Sequence, residues 1–226
     1  MGVRTVLAAL AALLIVACSG ERRESTATKA APRIEKPAPK RSEPDTRRTI
    51  VAFGDSLSAG FGVDATQSFP AHLQRELDAR GLAWRVINEG ISGDTTTGGL
   101  ARLDVVLSNK PDIVILELGG NDGLRGLPLE ITRSNLEQMI VAIQKSGAKV
   151  LLAGITLPPN YGQDYISRFE AIYRELAAKY KTVLIPFLLE GVATREFMLP
   201  DGIHPTAEGN RRVAALVMKH LEPLLR

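Results

Sequence analysis

From Thr49 onward the chain alternates short apolar runs with longer amphipathic segments, and this alternation constrains the fold more than any other feature. The runs cover residues 49–53, 84–88, 112–118, 148–155 and 182–186. A strand with one face in water would alternate polar and apolar residues. A run such as Ile113-Val114-Ile115-Leu116 belongs to a strand buried on both faces. Between the runs the spacing predicts helices near 69–80, 95–108, 129–146 and 163–180, with a last one at 206–225. Ser68 followed by Pro70 fits a helix start, and Gly81 and Gly147 fit helix ends. Five strands alternating with helices imply a parallel sheet covered on both sides. The expectation is an α/β fold: a three-layer α/β/α sandwich on a five-stranded parallel sheet, flavodoxin-like in strand order.

In such a sheet the loops after the strands gather along one edge, where open α/β proteins place their sites. Read in turn, those loops carry Gly54-Asp55-Ser56, then Asn88 to Asp94 with Gly93 inside, then Gly119-Gly120-Asn121-Asp122, and finally Asp201-Gly202-Ile203-His204. A serine needs a base before it attacks a carbonyl, and a histidine needs an orienting group before it is a good base. Ser56, Asp201 and His204 supply all three. Each residue also has a plainer reading. Ser56 suits a helix N-cap, Gly93 a turn, and Asn121 a left-handed turn beside two glycines. Asp55, Asp94 and Asp122 read as hydrogen-bond acceptors that steady their loops. His72 and His220 fall in expected helices and read as structural or solvent-facing, and Trp84 as core.

The front of the chain differs in kind. A short basic start precedes an apolar run over residues 6–16, which closes on Ile15-Val16-Ala17-Cys18. The run is shorter than the roughly 20 residues of a membrane span. It reads as a signal peptide over 1–17. The context of Cys18 resembles a bacterial lipobox, in which cleavage precedes the cysteine and the cysteine is acylated. Ser19 in the next position fits outer-membrane sorting, with the protein facing the periplasm. The alternative is an ordinary secretory signal and a soluble periplasmic protein. Residues 18–47 are rich in Pro, Ala, Ser, Thr and charge, which gives a flexible tether.

Charge places the partners. The whole chain carries +3, but residues 19–48 hold nine Lys and Arg against five acids, and Arg4 adds another positive charge. Residues 49–226 are therefore mildly acidic, at −2. Nucleic acid is not an expected partner. With one cysteine in the chain, neither an internal disulfide nor a cysteine zinc site is available.

The blocks Gly54-Asp55-Ser56-Leu57, Gly93, Gly119-Gly120-Asn121-Asp122 and Asp201-Gly202-Ile203-His204 resemble, in order, the four motifs of the SGNH, or GDSL, hydrolases. Longer stretches, among them residues 91–95, 117–126 and 157–162, resemble the multifunctional thioesterase I/arylesterase/lysophospholipase subgroup. The resemblance spans about residues 48–222. It departs at the front, because the soluble periplasmic members lack the cysteine and tether. The resemblance implies an SGNH hydrolase domain over 48–226. It implies a serine esterase working on acyl esters or thioesters through an acyl-enzyme, without cofactor or metal. Ser56 is then the nucleophile, His204 the base and Asp201 its orienter. The oxyanion is met by the N–H groups of Ser56 and Gly93 and the amide of Asn121. In the subgroup the segment at 157–162 lines the acyl site, so Leu157, Pro158 and Tyr161 are candidate substrate contacts; a Pro-stiffened connector is the other reading. Leu124 and Leu127 are further candidates.

Three other functions compete. One is a carbohydrate O-acetylesterase. Another is a lipoprotein that binds an acyl or glycan ligand without catalysis, which has no need of Ser56, Asp201 and His204 together. The third is a flavodoxin-like nucleotide or metal protein using Asp55, Asp94 and Asp122. No Walker loop or dinucleotide glycine fingerprint supports the third.

Overall fold

The computed structural model describes residues 45–226. The expected signal peptide at 1–17, the lipidation site Cys18 and the tether as far as residue 44 lie outside the described residues. Five strands form one sheet: β1 (Arg48–Gly54), β2 (Trp84–Gly90), β3 (Ile113–Glu117), β4 (Lys149–Ala153) and β5 (Val183–Ile185). The order is β2-β1-β3-β4-β5 and every neighbouring pair is parallel. This is the flavodoxin-like order, with its switch point between β1 and β3. All five residues of β3 are buried, as are residues 49–54 of β1. Successive side chains point to opposite faces, so both faces of the sheet centre are covered.

The helices are α1 (Ser56–Ala59), α2 (Phe69–Ala79), α3 (Thr96–Ala101), α4 (Leu103–Ser108), α5 (Gly120–Leu124), α6 (Leu129–Lys145), α7 (Gln163–Tyr180) and α8 (Ala207–Leu221). Helix α2 carries the chain from β1 outward to β2, whereas α6 and α7 carry it the other way, to β4 and β5. Right-handed crossovers therefore put them on opposite faces. The packing agrees: α2 lies against α8, and α6 against both α3 and α7.

Two expected helices need correction. The helix expected at 95–108 is broken at Arg102 (φ −110°, ψ 12°). Its guanidinium turns inward, donating to the carbonyls of Gly54 and Glu89 and to Asp94. The last helix stops at Leu221, and a 3₁₀ turn at Glu222–Leu224 carries Pro223.

The carboxyl end of β1 turns sharply, and two glycines allow it. A Cβ on Gly90 would stand 2.2 Å from the backbone nitrogen of Ala59. One on Gly54 would stand 2.2 Å from Ser58 Oγ and 2.3 Å from Glu117 Oε2. Helix α1 thus sits directly on the sheet end, and Ser56 is its first residue.

Candidate active site

Ser56 does not cap α1. The cap is Asp55, whose Oδ1 accepts from Leu57 N–H at 3.1 Å. Ser56 is left with its hydroxyl free for another partner, and that partner is His204. Ser56 Oγ lies 2.8 Å from His204 Nε2, across 148 positions of sequence. His204 Nδ1 lies 2.7 Å from Asp201 Oδ2. With Nδ1–H donating to the carboxylate, Nε2 carries the lone pair that accepts the serine proton.

Asp201 is fixed by its own loop. Its Oδ1 accepts from the N–H groups of Ile203 (2.9 Å) and His204 (3.0 Å). Partial burial pulls its acidity down, but the bonds from the His204 ring and these two N–H groups outweigh it. They hold the carboxyl at about 2. The loop closes on itself, because Leu199 N–H donates to His204 C=O at 2.7 Å. The Phe61 ring stands 4.5 Å from the imidazole, tilted against it.

Ser56 opens into a cavity of about 530 Å³. Gly93, Asn121 and His204 line it with Ser56, and its far walls are apolar, built from Ile155, Leu157, Phe187, Leu189 and Met198. The backbone N–H groups of Ser56 and Gly93 have no hydrogen-bond partner among the described residues. Gly93 adopts φ +82°, a left-handed conformation that a side chain would strain. It is therefore a turn glycine as well as a cavity wall. Asn121 lies within α5 rather than in a left-handed turn, and Gly119 takes the positive φ. The Asn121 amide donates to Asp55 Oδ2 at 3.0 Å and to the Asp94 carbonyl at 2.9 Å. Both of its hydrogens are thus engaged.

The remaining candidates separate. Leu157, Pro158 and Leu124 line the cavity. Tyr161 does not, because its hydroxyl donates to the Leu124 carbonyl at 2.7 Å and its ring faces Tyr165. Leu127 is also absent from the wall. Asp94 pairs with Arg102 at 2.7 Å, and Asp122 accepts from Thr96. Both steady their loops, as read from sequence. Among the described residues no cluster of three or more His, Cys, Asp or Glu is placed to hold a metal ion.

Sequence reasoning missed Phe61, Phe187, Leu189 and Met198. These apolar side chains reach the cavity only through the folding of separate loops, and no local pattern marks them. It also passed over Glu117, although a lone acid closing an otherwise apolar strand is a visible signal.

A Ser–His–Asp chain at the carboxyl edge of a doubly wound parallel sheet defines an α/β serine hydrolase. More narrowly, the chain belongs to the GDSL-like lipase/acylhydrolase family, whose model matches residues 52–212. It is 48% identical over 180 residues to Esterase TesA of Pseudomonas aeruginosa, covering 79% of this chain and 90% of that one. It is 40% identical over 179 residues to the Thioesterase 1/protease 1/lysophospholipase L1 of Escherichia coli K12, covering 78% and 85%. Among solved structures it is similar to the crystal structure of TesA, with a TM-score of 0.76 and 47% identity. That match covers 78% of this chain and 99% of that one.

Proposed function

We propose that the chain hydrolyses acyl esters and thioesters through an acyl-enzyme on Ser56. Ser56 Oγ attacks the substrate carbonyl while its proton passes to His204 Nε2. Asp201 stabilises the imidazolium. The oxyanion is met by the free N–H groups of Ser56 and Gly93. The Asn121 hydrogen now resting on the Asp94 carbonyl swings to it as the third donor. On collapse the leaving group takes the proton from His204. Water then attacks the ester on Ser56, gives its proton to His204, and the acid departs with the serine reprotonated.

The observation that carries this reading is the hydrogen-bonded chain Asp201–His204–Ser56 at the mouth of an apolar cavity. The apolar walls favour an acyl chain over a sugar, which argues against a carbohydrate O-acetylesterase. The named activities of the relatives, esterase and thioesterase/lysophospholipase, lie in the same class. A series of p-nitrophenyl esters of increasing acyl length, beside an acyl-CoA and lysophosphatidylcholine, tests it. Ser56→Ala should lower kcat by ~10⁴ or more; unchanged activity in that variant sinks the mechanism.

We also infer that Cys18 is acylated and tethers the domain to the outer membrane, supported by the Ile15-Val16-Ala17-Cys18 sequence. Cys18→Ala should move the protein out of the membrane fraction. Unaltered membrane fractionation of that variant counts against lipidation.

A further inference from the structure

Glu117 closes β3 inside the molecule and is fully buried. Its Oε2 accepts three hydrogen bonds from the nucleophile turn: Asp55 N–H at 3.1 Å, Ser58 N–H at 3.2 Å and Ser58 O–H at 2.8 Å. Its Oε1 is buried and has no such partner among the described residues. Beside it lies Asp55, 3% exposed, whose Oδ2 holds the Asn121 amide. The two residues are direct neighbours, because Glu117 Oε2 holds the backbone N–H of Asp55. Among the described residues neither forms an ion pair with a lysine or arginine.

Two neighbouring buried carboxyl groups resist being ionised together, which favours one of them holding a proton. The division of labour among their oxygens says which. Glu117 Oε2, with three donors converging on it, behaves as the carbonyl oxygen. Glu117 Oε1, facing no donor, is the place for a hydroxyl. Asp55 instead accepts on both of its oxygens, from Leu57 N–H on Oδ1 and from the Asn121 amide on Oδ2, so neither is left to carry a hydrogen. The surroundings agree. His204, from the loop after β5, favours a negative Asp55 when it is protonated. Tyr173 of α7 and Asp122 of α5 supply no positive charge, and Tyr173 spends its hydroxyl on the Leu118 carbonyl. Burial raises both carboxyls, Glu117 well above its ordinary value.

We propose that Glu117 is a neutral carboxylic acid whose Oε1–H donates to the Asp55 carboxylate, and that this buried pair positions Asn121 for the oxyanion. The proposal rests on the esterase reading above. Asp55 anchors one hydrogen of the Asn121 amide and so sets the plane in which the other turns. Glu117 keeps Asp55 ionised and in place while tying the whole nucleophile turn to β3. Both act through Asn121 and are positioning residues.

Infrared spectroscopy and kinetics together test it. Folded Ser56→Ala protein at pH 8 should show a protonated carboxylic-acid carbonyl band, above the range in which ordinary carboxyls titrate. The band should vanish in the Ser56→Ala/Glu117→Gln double variant. In the otherwise native chain, Glu117→Ala and Asp55→Asn should each lower kcat by ~10² with little change in KM, the scale of a lost oxyanion donor. Glu117→Gln should recover most of that loss, because its amide N–H still donates to Asp55. No protonated-carboxyl band at pH 8 overturns the proposal, as does a Glu117→Gln variant no better than Glu117→Ala. Activity surviving Ser56→Ala would instead defeat the esterase reading, and the infrared band would still decide the state of Glu117.

Discussion

His204 is held from both sides, by Asp201 at Nδ1 and Ser56 at Nε2, and that grip aims its imidazole at one hydroxyl. Asp201 sits three residues before it, close enough for the carboxylate to take both the ring Nδ1–H and the His204 backbone N–H. Replacing Asp201 by Asn reverses the preferred tautomer and should lower kcat by ~10⁴. The same pairing predicts a pH dependence of stability. Asp201 titrates near 2 in the folded chain, below its ordinary 3.8. Its contribution is therefore complete above about pH 4 and is lost as pH falls from 4 towards 2. Urea midpoints of wild type and Asp201→Asn should converge across that window. A gap that stays constant from pH 5 to pH 2 contradicts the pairing. At this scale the sequence was informative about chemistry and weak on geometry. Ser, Asp and His were legible as a set because acyl transfer needs those three types. That Asp55 rather than Ser56 caps α1, and that Tyr161 turns away to the Leu124 carbonyl, depended on hydrogen bonds that spacing does not encode.

Strands and helices deliver these residues to one edge, and the closeness of their packing there is specific. Gly54 and Gly90 face each other across the β1–β2 pairing, with α1 seated on them. Gly90→Ala would drive a methyl group into the backbone of Ser58 and Ala59. It should destabilise the fold by about 1–3 kcal/mol and displace Ser56, so that kcat falls as well. A variant as stable and as active as wild type would show that α1 does not rest on the strand end. The apolar runs located every strand within a few residues, most clearly β1, β3 and β4, where burial on both faces leaves an unmistakable composition. Arg102 shows why the helix expected at 95–108 is broken. Its guanidinium is held by Asp94, just ahead of the helix, and by the carbonyls of Gly54 and Glu89 on two strand ends. A local pattern carries no trace of the two carbonyls.

The molecule as a whole is a sheet whose switch point, between β1 and β3, brings Ser56 and Asn121 side by side, while the chain after β5 returns His204 to the same place. The α/β class and the loops that share an edge were legible in the sequence. The cavity was not, since Phe61, Phe187 and Met198 meet only when three separate loops converge on it. The central claim is that Ser56 is the one nucleophile of this site. It is tested most directly by treating the protein with an alkyl fluorophosphonate and mapping the adduct by peptide mass spectrometry. The expected result is one phosphonyl group, on Ser56, formed in step with complete loss of esterase activity and absent from His204→Ala. An adduct on another residue, or activity that survives full modification of Ser56, would contradict it.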